Sequence, residues 1–296
     1  MAARIGPSEG EYNPDLSAIE EIGAEFLDGG GPVCDFGCLR NEALFGLSVL
    51  GEEIRRNDTC LEVGSGPGLL AYMLARRGIK VDALDPVANG FETFEPVRQL
   101  VEKKKPECLT FLRMGIEELQ ASGSYDFIYS INVFEHLLDW RAGLLCVYSA
   151  LKPGGVAHIL CPNYDVPVES HFKVPILYSK EWTRRIFAKW IRTYEQRERC
   201  PGLWDSVNLI QASEVYQFCY TNGMQIEFDR RIVPLMMRRL GSDEEFTMRW
   251  RSVARFLGRM GSNRGVQRLL SNLPISMQPY VWMKISKSNL LPFPAR

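Results

Sequence analysis

The chain has 296 residues, 46% of them hydrophobic, and a formal net charge of −1. This length and composition predict a globular protein with one large domain, or a core domain with sizeable insertions. The balanced charge gives no indication of a general affinity for nucleic acid. No apolar run approaches the ~20 residues needed to span a bilayer, and residues 1–6 do not resemble a signal peptide. We therefore expect a cytoplasmic protein whose eight cysteines are reduced thiols.

Two helices are predicted ahead of the main domain. The first runs from about residue 13 and is ended by the glycines at 29–31, and the second covers about Leu39–Arg56. The apolar face of the first is formed by Leu16, Ile19, Ile22 and Phe26. We therefore expect a helical N-terminal extension over residues 1–57.

From residue 59 onward, short apolar runs alternate with amphipathic stretches. The runs predict strands at Thr59–Val63, Val81–Leu84, Leu109–Leu112, Phe127–Ile131 and Val156–Cys161. The stretches between them predict helices at Leu69–Arg77, Phe91–Lys104 and Val133–Leu151. Such alternation is typical of an α/β fold with a doubly wound, mostly parallel sheet.

The alternation is interrupted twice in the second half of the chain. Residues 162–210 form an insertion rich in proline and aromatic residues, with a helix near Lys180–Thr193, and residues 235–275 form a second, helical insertion. Between and after them, the pattern predicts a helix at Ala212–Tyr220 and strands at Ile226–Ile232 and Tyr280–Ile285. The expected domain therefore spans residues 58–296, with seven strands and two inserted helical caps.

A glycine-rich turn joins the first strand to the following helix. Gly64, Gly66 and Gly68 let the backbone approach a ligand that a Cβ would exclude, and the helix N-terminus offers unpaired N–H groups. The third glycine comes one residue earlier than in the G-x-G-x-x-G fingerprint of dinucleotide-binding proteins. Asp85, at the end of the second strand, is placed to accept hydrogen bonds from ribose hydroxyls. Glu62, just before the turn, favours a methyl-donor site over a dinucleotide site.

Five motifs in register extend this interpretation over residues 59–161. They are E-x-G-x-G-x-G at 62–68, the strand-end acid at 85, Gly-Ile-Glu at 115–117, Tyr-Asp-Phe at 125–127 followed by Asn-Val-Phe-Glu-His at 132–136, and Leu-Lys-Pro-Gly-Gly at 151–155. In these motifs the chain resembles the class I S-adenosylmethionine-dependent methyltransferases, within the small-molecule group that includes the ubiquinone-type O-methyltransferases. The resemblance implies a Rossmann-like fold, S-adenosylmethionine as cofactor and S-adenosylhomocysteine as product.

The resemblance also implies which residues of this chain would hold the cofactor. Gly64, Ser65, Gly66 and Gly68 would contact its methionine part. Asp85 would hold the ribose with Pro86 beside it. The remaining positions implied by the family are Ile116 and Glu117 by the adenine, and Ser130, Asn132 and Val133 next to the sulfonium. Relatives often carry Asp where this chain has Ile116, so adenine recognition there would depend on backbone N–H groups or Glu117.

Methyl transfer to a hydroxyl group requires a base near the methyl group. His171 follows the fifth strand, at the sheet edge where open α/β sheets bind ligands, and is our candidate for the general base; the alternative is a histidine that only fixes this loop. His136 and Glu135, expected at the start of the helix after the fourth strand, are further candidates. The alternative is that they cap the helix or hydrogen-bond the loops around the site. In some relatives E-x-x-E-H binds a divalent metal, but here Asn132 replaces the first acid. We therefore expect no metal, with a site of Asn132, Glu135, His136 and His171 as the alternative.

The two insertions are expected to choose the acceptor. Aromatic residues of the first can line a pocket, or can form the core of a cap. The second is basic and amphipathic, which is compatible with an anionic membrane surface as well as with a solvated arginine face. The expected acceptor is a small molecule or a glycan- or lipid-linked metabolite methylated on oxygen. The alternatives are a catalytically silent cofactor-binding partner protein and a nicotinamide-dependent oxidoreductase on the same fold.

Overall fold

The computed structural model describes residues 14–31, 33–86, 92–243 and 264–288. Seven strands form the central sheet, and two more pair as a small hairpin. The central strands are β1 (Thr59–Val63), β2 (Lys80–Leu84), β3 (Leu109–Leu112), β4 (Tyr125–Ile131), β5 (Leu151–Pro162), β8 (Gln225–Phe228) and β9 (Tyr280–Ser286); the hairpin strands are β6 (Val168–Glu169) and β7 (Val174–Pro175).

The sheet has the strand order β3-β2-β1-β4-β5-β9-β8. The first five strands in this order are parallel, whereas β9 runs antiparallel to both β5 and β8. The order reverses between β1 and β4, and ligands of open α/β sheets bind at the carboxyl ends of strands beside such a reversal. The expected seven-stranded, mostly parallel, doubly wound sheet is confirmed.

Helices cover both faces of this sheet. They are α1 (Pro14–Asp28), α2 (Val33–Leu50), α3 (Leu69–Arg76), α4 (Glu95–Lys104), α5 (Trp140–Ala150), α6 (Lys180–Glu198), α7 (Leu203–Ser206), α8 (Ala212–Thr221), α9 (Ile232–Ser242) and α10 (Arg264–Ser271). Cys60 of β1 packs with α1–α4 and α9 on one face, and the next residue, Leu61, packs with α5 and α8 on the other. Burial on both faces explains why these strands read as continuous apolar runs.

A third, smaller core lies under the first insertion. Phe172, Val174, Ile191 and Trp204 bring the β6–β7 hairpin, α6 and α7 together, and all four side chains are buried. The insertion is therefore a cap with its own apolar core, and most of the aromatic residues that we expected either to line a pocket or to fill a core contribute to packing.

The helix predicted from Val133 begins seven residues later than expected. Asn132 has a left-handed backbone (φ 56°), and residues 134–136 form a single 3-10 turn. The carboxylate of Asp139 then accepts hydrogen bonds from the N–H groups of Arg141 (2.9 Å) and Ala142 (3.2 Å), which caps α5. The prediction that Glu135 and His136 lie at the start of this helix is wrong, because they lie in the turn that precedes it.

Two other predicted boundaries are also wrong. The second helix starts at Val33 rather than near Leu39 and ends at Leu50. The strand predicted to run to Ile232 ends at Phe228, and Ile232 begins α9, whose first residues pack against the sheet. The middle of the basic insertion predicted at 235–275 falls on residues 244–263, outside the described residues. Among the described helices, none is long and apolar enough to cross a membrane.

Candidate functional site

The glycine turn after β1 has the backbone that its sequence predicts. Gly64, Gly66 and Gly68 all have left-handed φ values of 75°, 51° and 76°. A Cβ at Gly64 would collide with the side chain of Val133, and one at Gly68 would lie 2.5 Å from Phe111. Glycine is therefore required twice at this turn, once for the backbone conformation and once for the close packing.

The acid at the end of β2 is tied to this turn. Asp85 accepts a hydrogen bond from the N–H of Gly66 (2.9 Å), and its other oxygen lies 3.6 Å from the guanidinium of Arg98. The Arg98 side chain is only 3% exposed and also contacts Glu95. Asp85 therefore lies beside the turn, as the resemblance implies. Arg98, the buried arginine next to it, was missed by the sequence analysis. Pro86, which follows Asp85, is exposed.

The other residues implied for the cofactor differ in what they can offer. Glu62 is buried, and burial raises its pKa to about 8. Ser65 is also buried, and its hydroxyl forms no hydrogen bond with the described residues. The hydroxyl of Ser130 donates to the carbonyl of Val63 (3.0 Å) and so joins β4 to β1. The carboxyl of Glu62 and the hydroxyl of Ser65 can therefore still form hydrogen bonds with a ligand, whereas the hydroxyl of Ser130 is already bonded within the sheet.

The positions implied for the adenine lie after β3. Ile116 is 1% exposed and packs in the core beneath α5, near Gly143, so its side chain is not available to a ligand. Glu117, in the same 3-10 turn, is exposed. This arrangement leaves the backbone and Glu117 as the groups that adenine recognition would use.

The turn after β4 lies between the glycine turn and the three catalytic candidates, Glu135, His136 and His171. Val133 packs over Gly64, and the amide oxygen of Asn132 accepts a hydrogen bond from the hydroxyl of Tyr280 (2.6 Å). Glu135 and His136 follow directly, and His171 reaches them from the β6–β7 hairpin. One ligand atom from each of these last three residues lies within 4.8 Å of the others.

Glu135 and His136 are both held in a low-dielectric environment. Neither carboxylate oxygen of Glu135 has a hydrogen-bond partner among the described residues, and burial raises its pKa to about 7. Nδ1 of His136 is 2.9 Å from the hydroxyl of Ser206, and burial, together with the nearby His171, lowers the pKa of His136 to about 3. His136 is therefore neutral at physiological pH.

His171 pairs with a carboxylate that sequence analysis did not single out. Nδ1 of His171 lies 2.7 Å from Oε1 of Glu169, which also accepts from the Tyr164 hydroxyl (3.0 Å); the other oxygen accepts from the N–H of Phe172 (2.6 Å). Burial would raise the pKa of Glu169, but these donors, His171 first, outweigh it and hold the pKa below its ordinary value. Because the carboxylate accepts the Nδ1 proton, Nε2 is the basic nitrogen of His171. The E-x-H spacing of Glu169 and His171 is the sequence feature from which this pair could have been predicted.

The third histidine of the chain does not contribute to this cluster. His158 of β5 is buried between the rings of Phe127 and Trp282, and its Nδ1 accepts from the Trp282 indole N–H (3.2 Å). It is a core residue. The cysteines whose side chains are described form no disulfide with one another.

Comparisons with known proteins found a matching family model and similar relatives. A family model described as a methyltransferase domain matches residues 39–218. An uncharacterized protein of Mycobacterium tuberculosis H37Rv is 30% identical over 250 residues, which cover 83% of this chain and 85% of the relative. A ubiquinone biosynthesis O-methyltransferase of Rickettsia prowazekii is 28% identical over 155 residues, or 50% of this chain and 59% of that enzyme.

A solved structure shares the fold. Haemonchus contortus phosphoethanolamine N-methyltransferase 2, in complex with S-adenosyl-L-methionine, superposes with a TM-score of 0.52 at 18% identity. The match covers 84% of this chain and 52% of that one, so this chain spans about half the length of the solved protein. At this identity the likeness concerns the architecture of the sheet and its helices.

Proposed function

This chain belongs to the class I S-adenosylmethionine-dependent methyltransferases, and on that basis we propose that it methylates a hydroxyl group of a small-molecule acceptor with His171 as the general base. The observation that carries the proposal is the pairing of His171 with the buried carboxylate of Glu169, beside the turn after β4, whose Val133 packs on Gly64 of the glycine turn. The name of the Rickettsia relative, an O-methyltransferase, supports oxygen as the methylated atom.

The residues at the glycine turn fit the cofactor. Ser65 at the turn is buried with a hydroxyl that has no partner among the described residues, and Asp85 presents a carboxylate beside the turn. Gly64, Ser65, Gly66 and Gly68 would hold the methionine part, and Asp85 the ribose. Bound S-adenosylmethionine supplies an activated methyl group that is transferred by in-line displacement at carbon.

The residues of this chain then handle the proton of the acceptor. Nε2 of His171 takes the proton as the acceptor oxygen forms its bond to the methyl carbon, and the methyl–sulfur bond breaks. Glu169 keeps Nδ1–H oriented and stabilises the imidazolium that results. His136 remains neutral, so no second positive charge opposes that protonation. On this proposal, His171 carries out the proton transfer and Glu169 orients its ring.

The proposal is tested by comparing the wild type with His171→Ala. We expect both to bind S-adenosylhomocysteine with equal affinity in titration calorimetry, while turnover falls about 10²–10⁴-fold in the variant. Labelled S-adenosylmethionine is offered with 3,4-dihydroxybenzoate as an oxygen acceptor and with phosphoethanolamine as a nitrogen acceptor. Methylation of phosphoethanolamine alone, or full activity in His171→Ala, contradicts the proposal.

The cluster of Glu135, His136 and His171 favours a second candidate mechanism, in which a divalent cation activates the acceptor. One carboxylate and two imidazoles suit zinc or other first-row divalent cations, and the outer nitrogens of both histidines are held by Ser206 and Glu169. A titration of the protein with Zn²⁺ and Mn²⁺ distinguishes the two mechanisms. The metal mechanism requires binding that Glu135→Gln weakens and activity that a chelator removes, whereas the base mechanism requires neither.

A further inference from the structure

The outer side of α6 carries three exposed apolar side chains in a row. Trp182, Ile186 and Trp190 are 52%, 59% and 54% exposed, and their spacing of four residues places them along one face of the helix. The other three tryptophans in the described residues, Trp140, Trp204 and Trp282, are at most 4% exposed. We call Trp182, Ile186 and Trp190 the α6 row.

The side of α6 next to the row is packed, and this packing holds the helix on the cap. Thr183 and Ile191 are buried, and the hydroxyl of Thr183 donates to the carbonyl of Ser179 (2.8 Å) and accepts from the N–H of Leu177 (2.8 Å). The indole N–H of Trp190 donates to the carbonyl of Phe172 (2.8 Å). The exposure of the α6 row is therefore a property of a helix that is docked onto the cap.

The charges around the α6 row are mainly basic, with Glu181 before Trp182 as an acidic neighbour. Between residues 182 and 194 the helix contains four basic residues and no acidic residue. Arg184 pairs with Asp205, but Arg185, Lys189 and Arg192 form no ion pair with the described part of the chain. An apolar row with tryptophan at both ends and unpaired cations beside it matches an anionic surface that also accepts apolar side chains.

We propose that this face of α6 docks on the surface of an anionic lipid bilayer. The α6 row enters the boundary between headgroups and acyl chains, and Arg185, Lys189 and Arg192 contact the lipid phosphates. A surface in which cations outnumber acidic residues complements an anionic bilayer better than it complements an identical surface, so a second copy of this chain fits it less well. The proposal does not rest on the proposed function, because it concerns where the protein binds and not what it methylates.

The experiment measures co-sedimentation of the full chain with vesicles. One set contains phosphatidylcholine alone, and the other an equimolar mixture of phosphatidylcholine and phosphatidylglycerol. We expect binding to the anionic set that weakens as salt is added. The variants Trp182→Ser/Ile186→Ser and Arg185→Gln/Lys189→Gln should each lose about tenfold or more in partition coefficient.

A matched control uses another pair of exposed aromatic residues with the same spacing. Tyr216 and Tyr220 of α8 are 52% and 74% exposed, and Tyr216→Ser/Tyr220→Ser should bind the anionic vesicles as the wild type does. The proposal is overturned if the wild type ignores anionic vesicles, or if the α6 and α8 variants lose affinity equally. It is also overturned if light scattering shows a dimer that only the α6 variants dissociate and vesicle binding is unaffected.

Discussion

Three buried carboxyls near the strand ends are held in different protonation states by their neighbours. Glu62 and Glu135 are buried with few donors, so burial raises their pKa values to about 8 and about 7. Glu169 is equally buried, but His171, Tyr164 and Phe172 all donate to it, and its pKa is lowered. The same side chain is therefore an acid at one position and an anion at another, and only Glu169 is suited to orient a histidine.

Replacement of Glu169 by Gln tests this orientation. The amide keeps the volume but removes the charge and permits the wrong tautomer of His171, so we expect kcat to fall about 10²–10⁴-fold with little change in S-adenosylhomocysteine affinity. The double variant Glu169→Gln/His171→Ala should be no slower than His171→Ala alone. Additive losses measured in steady-state kinetics would mean that Glu169 does not act through His171.

Glu62 predicts a pH dependence of stability. Its folded pKa of about 8 lies above the ordinary value of 4.5, so the folded protein binds an extra proton between these limits. The free energy of unfolding should therefore fall as pH rises through this window, by up to about 1.4 kcal/mol per pH unit. In urea titrations at several pH values, Glu62→Gln should lack this part of the slope. A wild-type slope that survives in the variant would assign it to another group.

Arg98 is expected to position Asp85 for the ribose. Arg98→Met should raise the dissociation constant for S-adenosylmethionine about tenfold with kcat unchanged at saturation, and Arg98→Lys should restore part of the affinity. Arg113 is a control, since it also contacts Glu95 but has no contact with Asp85, and its side chain is 50% exposed. Equal effects of Arg113→Met in calorimetry would argue against a specific role for Arg98.

At the scale of elements, one asparagine joins the cap to the turn after β4. The side-chain amide of Asn208 donates to the carbonyls of Phe134 (2.7 Å) and Leu137 (2.9 Å), and its backbone N–H donates to the carbonyl of Glu135 (2.7 Å). The segment that returns from α7 therefore holds the short turn that carries Glu135 and His136. No regular helix supports these two residues, so this contact defines their position.

Asn208→Ala is accordingly expected to destabilise the protein by about 1–3 kcal/mol, because buried carbonyls lose their donor. Asn222→Ala provides the comparison, since Asn222 is exposed and donates only to the carbonyl of Phe218 (2.8 Å), and the change should stay within about 0.5 kcal/mol. Chemical denaturation measures both. Equal losses would show that the Asn208 contacts are not specific to the turn.

At the scale of the whole molecule, the N-terminal helices share a core with the sheet. Ile19 and Ile22 of α1 and Leu50 of α2 are fully buried in the same apolar cluster as Met73 and Trp282. The domain boundary predicted at residue 57 stays a prediction, and the continuous core leads us to expect that the extension and the sheet unfold together.

Ile22→Ala tests this expectation. It should cost about 2–5 kcal/mol and lower the midpoint of one transition seen both in far-ultraviolet circular dichroism and in tryptophan fluorescence. Leu269, which is 66% exposed on α10, is the control, and Leu269→Ala should have little effect. Two separate transitions in the wild type would instead show that α1 and α2 form an independent unit.

The sequence by itself determined the features that local rules govern. Apolar runs of strand length, helical periodicity and the glycines at 64, 66 and 68 predicted the sheet, its helices and the cofactor turn, because each depends on neighbouring residues and backbone sterics. The start of α5 escaped these rules, since the left-handed Asn132 and the cap at Asp139 override a continuous helical pattern.

Only the tertiary structure decided which side chains meet. Glu135 and His136 reach His171 across about 35 residues of sequence, and Tyr280 reaches Asn132 across 148. Folding also buried the polar Ser130 in a hydrogen bond between two strands and left the apolar α6 row exposed. From residue type alone, Ser130 would be expected at the surface and the α6 row in the core. Such contacts, and the pKa values that depend on them, arise from burial and distance in three dimensions, which residue spacing along the chain does not encode.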